Sequence, residues 1–128
     1  MDTVELFQGE RFRVVAVRAD RDERSHVEGY LLGQPKQLRR KLARAITHFA
    51  SHGPNFNPEK CRRLKGRASE LMEIKEKPAR LLGFYCPVNR GVLVLTHGFD
   101  KRTETTPEAE IERALNLRDQ YLRSLRGE

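Results

Sequence analysis

Apolar and polar positions change rhythm several times along this chain. Between Arg11 and Val17 the alternation is imperfect, with Phe12, Val14, Val15 and Val17 favouring a strand. A charged loop from Ala19 to Arg24 follows. Ser25-His26-Val27-Glu28 then has the serine–glutamate spacing of a capping box, which predicts a short helix to about Leu32. Gly33-Gln34-Pro35 breaks it, and proline suits the first turn of the next helix. From Pro35 to His52, Leu38, Leu42, Ala45, Ile46 and Phe49 fall on one stripe, with Gly53-Pro54 as the stop.

Asn57-Pro58-Glu59 predicts a further turn or two of helix, with Asn57 as cap, Cys61 and Leu64 facing inward, and Leu64-Lys65-Gly66 as the end. Three strands are then expected. Glu70 to Glu76 alternates, with Met72 and Ile74 on one side and Glu73 and Lys75 on the other. Arg80 to Cys86 is mostly apolar, and Val88-Asn89-Arg90-Gly91 turns into Val92 to Phe99. The unbroken apolar character of that last strand places it inside a sheet, covered on both faces. Thr106 is the expected cap of a final helix, with Pro107 in its first position and an apolar stripe of Ile111, Ala114, Leu115, Leu122 and Leu125. Its early glutamates and late arginines complement the helix dipole. The order is β-α-α-β-β-β-α, an α+β chain without internal repeats.

Charge sharpens this picture. The 128 residues carry a net charge of +7. Residues 1–33 hold five Lys/Arg against seven Asp/Glu, residues 34–82 thirteen against four, and residues 83–128 seven of each. The middle segment therefore holds the whole excess, a field that attracts polyanions. Lys36, Arg40 and Arg44 recur every four residues, as a basic ridge away from the apolar stripe of their helix. That spacing fits an anionic partner and equally a solvated helix face.

Several classes fall away. A length of 128 residues suits one domain, and no apolar run of about 18 residues predicts a membrane span. Met1-Asp2-Thr3-Val4-Glu5 lacks the basic and apolar regions of a signal peptide, so a cytoplasmic protein is expected. Cys61 and Cys86 read as reduced core thiols. There is no Gly-rich phosphate loop, no HExxH and no Gly-x-Ser-x-Gly elbow, and no His and Asp/Glu spacing suggests a metal site. No cofactor is expected. The absence of tryptophan argues against extended base-stacking platforms.

The last third carries a denser pattern: Leu95, His97, Gly98, Phe99, Lys101, Arg102, Thr103, Thr106, Pro107, Glu110, Ile111 and Ala114. It resembles the "LLHGF-x-KK-T-x-x-TP-x-x-E-I-x-x-A" run of the RelE/HigB-like toxins, in particular their phage-derived branch. Leu64-Lys65-Gly66 followed by Glu70-Leu71 looks like that family's "LKG…L-E-L-R" entry to its second strand, and Arg80-Leu81-Leu82 like its "R-[IV]-[LV]" strand. The similarity spans about residues 12 to 122 of a single expected domain, 1–128. It implies a RelE-like fold with an antiparallel sheet packed against N-terminal helices and a C-terminal helix. It also implies a messenger-RNA endonuclease acting on the ribosome or free, without metal. A cognate antitoxin, often a helix-turn-helix protein, is implied as partner, with operator DNA as a further partner of that complex.

Two positions depart from the family. Lys75 stands where arginine is common, and the lysine pair is Lys101-Arg102; a planar fork and a point charge bind phosphate differently. Some relatives carry acid–base lysines on the second strand, which Glu70 and Glu73 do not match.

Cleaving RNA needs little apparatus, because the 2′-hydroxyl beside each phosphate is the nucleophile. Cations must stabilise the charge that develops on the phosphate. The resemblance points to Arg80, Lys101 and Arg102 as the phosphate clamp, flanked by Lys65, Arg67 and Lys75. His97 has a suitable ordinary pKa for moving protons, yet on an apolar strand it reads equally as a core histidine. Tyr85 and Tyr121 are alternatives, and Glu73 could act as base, although it reads more strongly as a solvent-facing strand residue. A non-catalytic RNA- or partner-binding module on the same fold, or a DNA-binding face, would also use such a basic surface.

Overall fold

The computed structural model describes residues 1–54, 59–103 and 105–128. Its strands are β1 (Asp2–Gln8), β2 (Arg13–Arg18), β3 (Cys61–Arg63), β4 (Met72–Glu76), β5 (Ala79–Tyr85) and β6 (Val92–Asp100). Its helices are α1 (His26–Leu32), α2 (Lys36–His52) and α3 (Glu108–Leu125). The α+β class holds. One sheet contains all six strands in the order β1-β2-β6-β5-β4-β3.

The sheet is mixed rather than antiparallel, because β2 runs parallel to β6 while every other pair is antiparallel. The crossover between them carries α1, α2 and three strands. β1 was not expected from the sequence. Its Asp2, Glu5 and Gln8 leave a half-exposed pattern, which suits an edge strand paired only with β2.

The expected helix from Asn57 is a strand where the chain is described, Asn57 and Pro58 lying outside the described residues. Cys61, Arg62 and Arg63 pair with Ile74, Glu73 and Met72 of β4, so the ladder rather than a helix satisfies their backbone. Cys61 and Leu64 are buried, as the pattern required.

Side chains of β6 serve both faces. Leu93 and Leu95 join Leu42, Ile46 and Phe49 of α2, and Val27 of α1, in one core. Val94 and Phe99 join Ile111, Ala114, Leu117 and Tyr121 of α3 in the other. α1 begins with the capping box: Glu28 N–H donates to Ser25 Oγ at 3.0 Å and Ser25 N–H to Glu28 Oε1 at 2.9 Å. Tyr30 lies so close to β6 that a Cβ on Gly98 would sit 2.3 Å from its ring, so only glycine fits there. In α3 the fully buried stripe adds Leu117 and Tyr121, whose ring packs on Phe84 at 5.6 Å; Leu115 and Leu122 pack half-buried against the same core, and Leu125 is exposed. Pro107 occupies the cap position, and the Thr106 side chain bonds elsewhere.

Candidate anion-binding site

Glu73 organises the site. The strand pattern suggested a solvent-facing residue; the structure buries it completely, on the face of β4 shared with α3. Lys101 and Thr106, between β6 and α3, both reach it. Arg62, directly opposite on β3, donates its Nε–H to Glu73 Oε1 at 3.1 Å. Lys101 Nζ and Arg80 Nε approach the same oxygen at 3.6 and 3.8 Å. The Thr106 hydroxyl donates to Glu73 Oε2 at 2.8 Å and accepts from Lys101 Nζ at 3.2 Å. Arg80 Nη1 donates to the Ala79 carbonyl at 2.9 Å, while its buried Nε has no hydrogen-bond partner among the described residues and is held by charge alone.

These cations open into a cavity of about 430 Å³. Arg62, Arg80 and Lys101 form one part of its lining. Lys75 and Lys77 of the β4–β5 hairpin, Lys60 before β3 and Lys41 of α2 add four more cations. Among the described residues two carboxylates, Glu59 and Glu76, line it with them, and Glu76 is ion-paired to Lys60. Lys101 is held below the usual lysine range by burial, assisted by Arg62 and Arg80, with Glu73 opposing. Among the described residues no group of three or more His, Cys, Asp or Glu side chains could hold a metal ion.

The structure brings Arg80, Lys101 and Lys75 to this one place. It does not bring Arg102, which is exposed and absent from the cavity lining. His97 is fully buried under α3, with Nε2 at 3.1 Å from Glu110 Oε1 and Nδ1 at 3.1 Å from Thr96 Oγ1. It is a satisfied core histidine, and burial lowers its pKa against the Glu110 hydrogen bond. Lys65 is exposed beside the 3-10 turn Gly66–Ala68, and Arg67 pairs with Glu108 and Glu112 at 2.6 and 2.9 Å. Lys36, Arg40 and Arg44 are exposed along α2 outside the cavity.

Neither tyrosine reaches the site. Tyr85 packs on the α2 side near Phe12 and Phe49, its pKa pushed up to about 12 by burial. Tyr121 lies 3.4 Å from Cys86 Sγ, its hydroxyl pKa raised by burial. Arg62 and Lys60 were missed because their segment read as helix. Once β3 is a strand, the alternation from buried Cys61 sends Arg62 to the face of Glu73.

A family model described as phage derived protein Gp49-like matches residues 29–119. No curated protein matches the chain. Among solved structures, the toxin–antitoxin complex RelBE2 from Mycobacterium tuberculosis is similar at 16% identity and a TM-score of 0.43, over 70% of this chain and 95% of that one.

Proposed function

The chain belongs to the phage-derived Gp49-like family of RelE-like toxins, and from that premise we propose that it is a metal-independent endoribonuclease that cuts messenger RNA on the ribosome and so stops translation. The observation that carries this reading is the convergence of Arg62, Arg80 and Lys101 on a buried carboxylate at one cationic cavity. Such a cavity fits a phosphodiester.

In the proposed step the 2′-oxygen attacks phosphorus in line, its proton leaves to solvent, and the bond to the 5′-oxygen breaks. A 2′,3′-cyclic phosphate and a 5′-hydroxyl result. Arg80 and Arg62 meet the extra negative charge on the phosphate oxygens; one good positioned donor is worth ~3–4 kcal/mol in comparable oxyanion sites. The Lys101 ammonium, its pKa lowered by burial, is suited to hand a proton to the leaving 5′-oxygen. Lys75 and Lys77 hold the flanking backbone, and the exposed Lys36, Arg40 and Arg44 grip ribosomal RNA. No helix among the described residues is long and apolar enough to cross a membrane, and the reading places the protein in the cytoplasm with its substrate. The partner in this reading is a cognate antitoxin of helix-turn-helix type, whose complex with the toxin would occupy operator DNA.

Purified protein added to a cell-free translation reaction tests this, with messenger ends mapped by primer extension. Codon-registered cuts are expected. A second reaction on naked RNA with EDTA separates dependence on the ribosome from dependence on metal. Intact messenger and normal protein yield would refute the nuclease and leave a non-catalytic binding module.

A further inference from the structure

We propose that Glu73 is the positioning residue of this site: its carboxylate, locked by Thr106, fixes Arg62, Arg80 and Lys101 as one preorganised donor set for a phosphate. The proposal rests on the nuclease reading above and deepens it.

Glu73 is absent from the cavity lining although all three of its cations belong to it, so it touches no ligand and acts through them. An anion gains nothing from a nearby carboxylate, whose charge repels it. The contribution of Glu73 therefore has to be geometric. Arg62, Arg80 and Lys101 crowd one small volume, and like charges at such range repel unless a counter-charge sits among them. Without Glu73 each side chain would extend toward water at the cavity mouth. With it, one oxygen faces all three at 3.1, 3.8 and 3.6 Å.

Thr106 fixes the other oxygen. Its hydroxyl donates to Oε2 and accepts from Lys101, so Glu73 has no freedom to rotate away. The same two bonds tie the segment carrying Lys101 to β4. Three separate parts of the chain (β3, β5 and the β6–α3 segment) thereby register on one buried atom. Donors held in place before the substrate arrives do not have to reorganise at the moment of reaction.

The test uses a 2′-O-methyl dinucleoside monophosphate, which carries one phosphate and cannot be cut, titrated by NMR against the full chain. Glu73→Gln removes the charge in nearly the same shape; Thr106→Val removes only the hydroxyl and leaves every charge in place. Net charge alone predicts tighter binding by Glu73→Gln. Positioning predicts that both variants bind more weakly, by about fivefold or more. Messenger cleavage should fall by about tenfold or more in kcat, with KM within about twofold, since the wider basic surface carries affinity for long RNA.

A folded Glu73→Gln that binds the dinucleotide as tightly as wild type or tighter overturns the proposal. So does a Thr106→Val indistinguishable from wild type, which decides the matter alone if Glu73→Gln does not fold. A wild type that fails to bind the dinucleotide overturns it as well. A wild type that binds but cuts no RNA refutes the nuclease reading, and the affinity comparison then judges the positioning role by itself.

Discussion

On the nuclease reading, replacing Arg80 with alanine should separate catalysis from binding. Arg80 is nearly buried, lines the cavity and brings a guanidinium to the place where a phosphate would sit. If it meets charge that develops only in the transition state, its loss costs ~2.7–4 kcal/mol, or 10²–10³ in kcat. Its share of ground-state affinity is far smaller. One lost contact to single-stranded RNA lowers the log affinity–log salt slope by ~0.7, and the remaining lining cations persist. Folding should survive, because Glu73 keeps Arg62, Lys101 and Thr106 as partners and Arg80 makes the longest of its three ion contacts. Stripping a buried charge of all partners costs about 3–5 kcal/mol; here about 1–2 kcal/mol is expected. Urea unfolding checks that figure. Primer extension in a translation reaction then measures cleavage, and fluorescence anisotropy measures affinity for a non-cleavable RNA. Arg80→Lys should recover part of the rate, keeping the charge without the planar fork. Wild-type potency from Arg80→Ala, or a loss of affinity as large as the loss of cleavage, would refute the reasoning.

If the α2 ridge grips RNA, Lys36→Ala, Arg40→Ala and Arg44→Ala together should flatten the salt slope by ~2 and leave kcat intact, and an unchanged slope removes the ridge from the interface. Because burial lowers the His97 pKa below its ordinary ~6.5, the unfolded chain binds the extra proton first as pH falls. Stability should therefore drop with acidification below about pH 6.5, and His97→Gln should show a shallower drop in urea midpoint over that window. Gly9→Ala tests the N-terminal hairpin, since a Cβ there would lie 2.3 Å from the Ala50 backbone. A loss of about 1–3 kcal/mol is expected in urea unfolding, with overpacking as the cause.

Much of the fold was legible wherever an apolar period or a cap imposed it. The Ser25–Glu28 box, the α2 stripe and the doubly covered β6 all lie where their patterns placed them. What escaped was decided by pairing between distant segments. β1 and β3 are edge strands whose backbone is satisfied by a partner elsewhere in the chain, and neither carries a strong period of its own. Within the site, Arg80 and Lys101 were readable from the family pattern. Glu73 was not, because alternation assigns it a face without saying that Lys101 and Thr106 meet it there. His97 had two readings in the sequence, and the structure gives it the core one, satisfied by Glu110 and Thr96.

The parallel pairing of β2 with β6 has a consequence for how the molecule comes into being. Arg13 pairs with Val92, 79 positions later, so the middle of the sheet cannot close until Val92 and the residues after it have been synthesised. Contacts of such long range are entropically slow to form. The cavity follows the same schedule, since Lys101 and Thr106 come later still. A nascent chain that stops before Val92 has an N-terminal hairpin and a β4–β5 hairpin with no strand to join them. A chain stopped there lacks β6, Lys101 and Thr106, so the cluster around Glu73 assembles only after Thr106 has been made.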